Sequence, residues 1–341
     1  MDQNNPILVN VMRGNGIESR HRGAVAIVDK SGSVIGSWGD TSTPVFPRSA
    51  VKPLQALCLL ETGAAEAFNV TDEEIALASA SHNAEPEHVQ RVGEWLSRLG
   101  LSGDDLECGA HEPMDPVSAK ELVRGGTTPD RLYNNCSGKH AGFLTTALHM
   151  GWPTKGYVQR DHPVQQQLRR VLGEMGEWDL SQTAEGVDGC GIPVLAMPLK
   201  AMARALARMA SPASLSGERE AASRRVLRAM TTHPQLVAGT GRFDTLVMQA
   251  CGEAVAVKTG AEGVYAAILP EQGLGVALKI DDGAKRASEM AMASVLDHLG
   301  VFSPETASRL SDALNPVISN AAGEVVGEIS PARGWLSDGW I

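Results

Sequence analysis

Positive charge is scarce in this chain. Its 341 residues carry 30 lysines and arginines against 40 aspartates and glutamates, a net charge of -10. No segment gathers a basic stripe. Gripping a phosphate backbone needs clustered cations, so nucleic acid is not an expected partner. Long apolar runs are also missing: no stretch approaches the ~20 residues of a membrane helix, which argues against a membrane partner. The opening stretch MDQNNPILVNVMRGNG lacks the basic-then-apolar layout of a secretory signal. Together these features predict a cytoplasmic protein.

Cysteine and lysine are sparse in informative ways. The five cysteines are Cys58, Cys108, Cys136, Cys190 and Cys251. An odd count, wide spacing and the absence of a secretory signal argue against a disulfide framework. Cys58 and Cys251 sit in apolar contexts that suit small buried hydrophobes. Cys136 and Cys190 lie in glycine-rich polar turns and need another explanation. Lysine occurs nine times, arginine 21 times. Where charge alone is wanted, this chain supplies arginine. Only lysine can become a neutral amine, a base or a ligand, so each lysine in a polar loop is a candidate for chemistry.

The pattern along the chain is strands, then helices, then strands. LVNVMR, AVAIVD and VIGSWG read as strands, with DKSGS as a hairpin turn. Apolar residues at three-to-four spacing predict a helix from Val51, with Pro53 in its first turn. TDEEIALASA, EPEHVQRVGEWLSRLG and HPVQQQLRRVLGEMG read as helices, as does the segment after NNCSGKHAG. CGAHEPMD (108–115) and GVDGCGIPVLAMPL (186–199) read as loops, the latter feeding a helix. AVAVKTG, VYAAILP and GLGVALKI return to strands before a last helix, and the remaining tail reads as irregular.

Segregated strands and helices predict an α+β (α/β/α) fold. Its antiparallel sheet would come from the N- and C-terminal segments, around a largely helical middle lobe. The expected organisation is one catalytic domain over 1–341. The sheet lobe would span 6–45 plus 240–300, and the helical lobe 46–239.

Three short motifs follow in order. Ser49-x-x-Lys52 opens a helix, Ser81-His82-Asn83 follows another, and Lys258-Thr259-Gly260 ends a strand. SxxK, SxN and KTG in that order form the signature set of serine β-lactamases and penicillin-binding proteins. The chemistry is readable from the residues. Serine and lysine at i, i+3 share a helix face. A desolvated lysine amine can take the serine proton, and the helix N-terminus favours the charge that develops. Each motif alone has a plainer reading: a capped helix with a solvated lysine for Ser49 and Lys52, a helix-end hydrogen bonder for Ser81, a strand-edge charge for Lys258.

A second constellation joins Cys136-x-x-Lys139-His140 to Asp188-x-Cys190. Two cysteines in separate polar loops with a histidine near them suit zinc. The plainer reading is two reduced cysteines packed in turns.

RGNGIESRHRG, RSAVKP, ASHN, NNCSGKHAG, DHPVQ, GVDGCGIP, HPQLVAG and KTGAEGVYA together resemble the Rhizobium-type L-asparaginases, the asparaginase II or class 3 family, from about residue 8 to 300. The resemblance implies a fold like that of serine β-lactamases and glutaminases. It also implies hydrolysis of L-asparagine to L-aspartate and ammonia by two Ser–Lys pairs, Ser49 with Lys52 and Ser81 with Lys258. Ser49 would be the nucleophile. A zinc held by Cys136, Lys139 and Cys190, with water completing its shell, would tune substrate binding. Arg48, His140 and Asp188 match positions lining the family's site, and Asn83 is a further substrate-binding candidate. A homodimer is implied as well. A penicillin-recognising serine hydrolase, a glutaminase-like amidohydrolase and a non-catalytic zinc-binding protein of this fold are the alternatives.

Overall fold

The computed structural model describes residues 5–337, 339 and 340. It is α+β, with an antiparallel sheet built from the two ends of the chain, as its pattern predicts. The strands are β1 (Ile7–Arg13), β2 (Gly16–Asp29), β3 (Val34–Trp38), β4 (Glu185–Val187), β5 (Pro193–Leu195), β6 (Ala256–Thr259), β7 (Val264–Leu269), β8 (Leu274–Ile280), β9 (Val317–Ser319) and β10 (Val325–Pro331). The large sheet runs β6-β7-β8-β2-β1-β10-β9, with β3 also paired to β2. β2 is long enough for two partners along its length: residues 16–22 pair with β1, and residues 25–28 pair with β3. Its later half also pairs with β8, from Gly23 opposite Ile280 to Asp29 opposite Leu274.

By compactness the chain divides into two units. One gathers the chain up to Ala50, Met197–Ser211 and everything from Leu246; the other is Val51–Ala196 with Pro212–Thr245.

In the first unit, every residue of β6 and β7 is buried, and all of β8 except Lys279. Such strands are covered on both faces and read as continuous apolar runs. Helices Leu199–Ala210 and Lys285–His298 provide that cover. Gly275 of β8 shows how closely the first of them lies: a Cβ there would strike Ala203 O and Ala207 N.

The tail differs from its reading as irregular. β10 pairs with β1 from Val9 opposite Pro331 to Arg13 opposite Gly327, and β9 pairs in turn with β10. β10 is half-exposed with no alternation between faces, and β9 is only three residues long, so no period of two marks either. β10 finds its main partner at the far end of the chain, in β1. The glycine-rich loop at 186–199 also carries unforeseen structure, the short β4–β5 hairpin.

The second unit is helical around one central helix, Ser137–Met150. Its first eleven residues are all buried, among them Ser137, Lys139, His140, Thr145 and Thr146. Helices Lys52–Glu61, Asp72–Ala78, Pro86–Arg98 and Pro163–Gly176 pack on it. Thr71 and Glu74 close a capping box at the start of the second of these. Among the described residues no helix is long and apolar enough to cross a membrane.

Candidate active site

The stretch FPRSAVKP begins the site in the sheet unit. Arg48–Val51 form a 3-10 turn that runs directly into helix Lys52–Glu61, with Pro53 in the first helical turn. Ala50 N donates to Pro47 O at 3.2 Å and closes the turn. Arg48, immediately before the serine, has φ +50°. A side chain there costs roughly 1–2 kcal/mol of backbone strain, and strained residues cluster at functional sites.

The end of β6 closes on this turn. A Cβ at Gly260 would lie 3.0 Å from Pro47 O and 3.2 Å from Ala50 N, so the third residue of the KTG motif must be small. Lys258, 1% exposed, donates from Nζ to Thr259 O at 2.9 Å. Arg48, Ser49 and Lys258 thus share one corner of the sheet unit.

The helical unit holds a second cluster. Lys52 is 1% exposed. Its Nζ donates to Ala80 O at 2.5 Å, Ser81 Oγ at 2.8 Å and Cys136 Sγ at 3.0 Å. The lysine of the first sequence motif therefore meets the serine of the second. Residues 81–83 run extended between two loops. Ser81 N and Asn83 N donate to Val237 O and Ala238 O, and His82 N donates to Asn135 O. These contacts bring SHN, HPQLVAG and NNCSGKH together.

His82 locks the arrangement. Its Nδ1 accepts from Ala84 N, so Nε2–H donates to Ser137 Oγ at 2.9 Å. Burial, with the nearby His88 and Lys52 charges, holds its pKa well below the usual histidine range, so it stays neutral. Asn83 is tied into the scaffold: its Oδ1 accepts from Arg242 Nη1 at 2.8 Å and its Nδ2 donates to Glu85 Oε1 at 3.2 Å.

The N-terminus of the central helix carries the second constellation. Cys136 is its N-cap residue. Lys139, 2% exposed, donates from Nζ to Cys190 Sγ at 3.0 Å. Cys190 sits in the β4–β5 turn, where Gly191 N donates to Asp188 O and Asp188 N to Ile192 O. The half-buried Asp188 also accepts from Gly189 N through Oδ1 at 2.8 Å.

A hydrogen bond from Cys136, reinforced by Lys139, pulls the Cys190 thiol down into its thiolate form, while the same bond and burial push Cys136 up. Burial alone would depress the Lys139 ammonium, but the Cys190 and Cys136 sulfurs outweigh it and hold its pKa up.

His140 is fully buried. Its Nδ1 lies 2.8 Å from Tyr157 Oη, which accepts from Glu107 N at 2.7 Å, and its Nε2 has no partner among the described residues. Burial, then the Lys139 charge, keeps the ring neutral. Tyr157 was not foreseen, although a tyrosine in a chain with only three, inside the polar GYVQRDHP stretch, was a usable signal.

Two sulfurs and a buried amine suit a borderline-soft cation such as Zn²⁺. Among the described residues no three His, Cys, Asp or Glu side chains could hold a metal by themselves. A metal here would therefore need Lys139 as a ligand, and its binding would displace the ammonium proton.

A family model described as L-asparaginase II matches residues 9–331. The chain belongs to this family. By that membership it is an asparaginase-type amidohydrolase. A comparison with curated proteins gave no match. Among solved structures, a candidate β-lactamase of Bacteroides dorei is similar at 14% identity and a TM-score of 0.43, over 81% of this chain and 93% of the other. A β-lactamase of Mycobacterium bovis is similar at 14% identity and 0.40, over 86% and 95%. A β-lactamase of Sphaerobacter thermophilus is similar at 12% identity and 0.42, over 83% and 94%. No residue role is taken from these structures.

Proposed function

We propose that this asparaginase-family protein hydrolyses L-asparagine to L-aspartate and ammonia through a serine nucleophile activated by lysine. The observation that carries the reading is the Lys52 amine, fully buried, held against Ser81 Oγ and three residues after Ser49. A lysine stem this deeply buried is unusual unless its amine is paired, and here the pairing is with hydroxyl and sulfur.

In the proposed sequence, Ser49 Oγ gives its proton to the Lys52 amine and attacks the side-chain amide carbon. Backbone amides steady the tetrahedral oxyanion. The C–N bond then breaks as ammonia takes a proton from the pair assigned to Ser81 and Lys258. Water next adds to the aspartyl ester, returning a proton to the Ser81–Lys258 pair, and the ester C–O bond breaks as Lys52 gives its proton back to Ser49 Oγ, releasing aspartate. Arg48 and Asp188 have the charges to pair the substrate α-carboxylate and α-ammonium, with His140 and Asn83 as further substrate-side candidates. Cys136, Lys139 and Cys190 would hold zinc, which when bound would supply a fixed positive charge for substrate binding. A homodimer and a cytoplasmic location complete the proposal.

Ammonia release across asparagine, glutamine and a chromogenic β-lactam tests the reading. Asparagine should be turned over fastest. One methylene separates the two amides, so discrimination on pocket fit alone is about 10–200-fold. Ser49→Ala should lower kcat by roughly 10⁴-fold or more with an unchanged melting temperature. Near-native activity of that variant would remove Ser49 from the nucleophile role. An aspartyl ester trapped by mass spectrometry identifies the acylated serine directly.

A further inference from the structure

The two cysteines of the site look equivalent in sequence, since each is a sulfur in a polar turn. In space they differ. Cys190 Sγ receives Lys139 Nζ, on the side of the proposed metal. Cys136 Sγ receives Lys52 Nζ at 3.0 Å, on the side of the serine chemistry, and it also exchanges a hydrogen bond with Cys190. We propose that Cys136 is a positioning residue for Lys52, so that the metal site and the Ser–Lys site share one sulfur. The inference rests on the Ser–Lys reading above and adds a role to the metal ligand set.

The argument is geometric. A lysine carries its Nζ donors on a flexible four-carbon stem. Two of the Lys52 acceptors, Ala80 O and Ser81 Oγ, come from adjacent residues of one segment. With those two alone the amine can pivot about the segment. The third acceptor approaches from a different element, the start of the central helix, and removes that freedom.

Cys136 is itself held firmly. Its amide donates to Asn134 Oδ1 at 2.9 Å, and Asn134 Nδ2 donates to Gly109 O. Its sulfur lies 3.0 Å from Asn135 Oδ1. The turn around it is pinned to the SHN segment on both sides: His82 N donates to Asn135 O, and His82 Nε2 donates to Ser137 Oγ. The sulfur, the serine hydroxyl and the lysine amine are thus fixed by one continuous set of bonds. A residue chosen only to bind metal would not need to face Lys52.

The test compares substitutions at the two cysteines by metal content and by kcat separated from KM. Cys190→Ala should lose the metal and raise KM, and its kcat, together with that of metal-stripped native enzyme, sets the reference. Cys136→Ala should lose the metal equally but show a kcat about 10–100-fold below that reference, the usual effect of leaving a buried donor without its acceptor. Cys136→Ser should stay metal-poor, because a hydroxyl is a weak zinc ligand, yet recover most of that kcat by offering Lys52 an acceptor.

Elemental analysis reads the metal independently of turnover. Equal kcat for Cys136→Ala and Cys190→Ala, or failure of the serine variant to recover, would overturn the proposal. If Cys136→Ala does not fold, Cys136→Val keeps bulk at the position without an acceptor and carries the same comparison. Absence of ammonia release by the native protein would instead count against the enzymatic reading itself, a distinct result.

Discussion

At the residue scale the informative fact is where the nine lysines go. Lys52, Lys139 and Lys258 are each at most 2% exposed, while Lys30, Lys120, Lys155, Lys200 and Lys285 are exposed and Lys279 is half-buried. The three buried ones are those that stand in the SxxK, NCSGKH and KTG motifs, so scarcity in the sequence located them. What the sequence hid is their pairing. Nothing in the spacing of Ser49, Lys52 and Ser81 shows that Lys52 Nζ reaches Ser81 Oγ. That contact depends on loops 134–137 and 237–240 holding the SHN segment in place. Tyr157 was hidden for the same reason, because its partners Glu107 and His140 lie 50 and 17 residues away in sequence. Removing its hydroxyl strands two groups at once, the half-buried Glu107 amide and the buried His140 Nδ1. Tyr157→Phe should therefore destabilise the protein by about 2–6 kcal/mol, at ~1–3 kcal/mol for each group left unsatisfied. Denaturant unfolding at constant m checks it, and a loss under about 0.5 kcal/mol would show that water replaces the hydroxyl.

Elements explain which parts of the site could be read in advance. The central helix is legible because NNCSGKHAG runs into an apolar stretch, and the structure buries its first eleven residues in a row. β6, β7 and β8 are legible because strands covered on both faces leave unbroken apolar runs. β10 is not, since a half-exposed strand paired to the far end of the chain carries no local signature, and three-residue β9 is too short to show one. β4 and β5 escape notice because three residues are too few to show a period. The KTG glycine lies between these cases. The motif flagged it, but only the structure gives the reason, a close approach to Pro47 and Ala50. Gly260→Ala should force β6 and the Ser49 turn apart by a few tenths of an ångström. Overpacking of this kind costs typically about 1–3 kcal/mol. Because the displaced turn carries Ser49, kcat should fall at least tenfold while far-ultraviolet circular dichroism stays native. A variant with native kcat would mean the turn yields without moving the serine.

For the whole molecule, the acidic balance that opened the sequence returns as a statement about pH. Carboxylates in both compact units have pKa values below the ordinary range. In the sheet unit, the Ser31 hydroxyl and the Ser33 and Ser31 amides lower Asp29 against a smaller burial penalty, and Thr43 and Ser42 do the same for Asp40. In the helical unit, burial pushes Asp72 up, but Arg225 and Arg228 outweigh it and hold it down. Asp72 lies in the first turn of helix Asp72–Ala78 and its arginines on helix Gly217–Thr232, with N–O distances of 3.0 and 2.9 Å. A carboxylate whose folded pKa is depressed stabilises the native state above its unfolded value. That contribution disappears as pH falls through the folded value. Stability should accordingly be flat near neutrality and decline from about pH 4 downward, where unfolded carboxylates begin to bind protons. Asp72→Asn removes one such group and keeps the side-chain shape. It should lower the melting temperature at about pH 7 and shrink the difference between that pH and about pH 3, and roughly 1 M salt should narrow the gap between native and variant by screening the pair. Thermal melts across that range check all three effects. If the Asp72→Asn variant loses as much stability on acidification as the native chain, the acid sensitivity lies in other carboxylates.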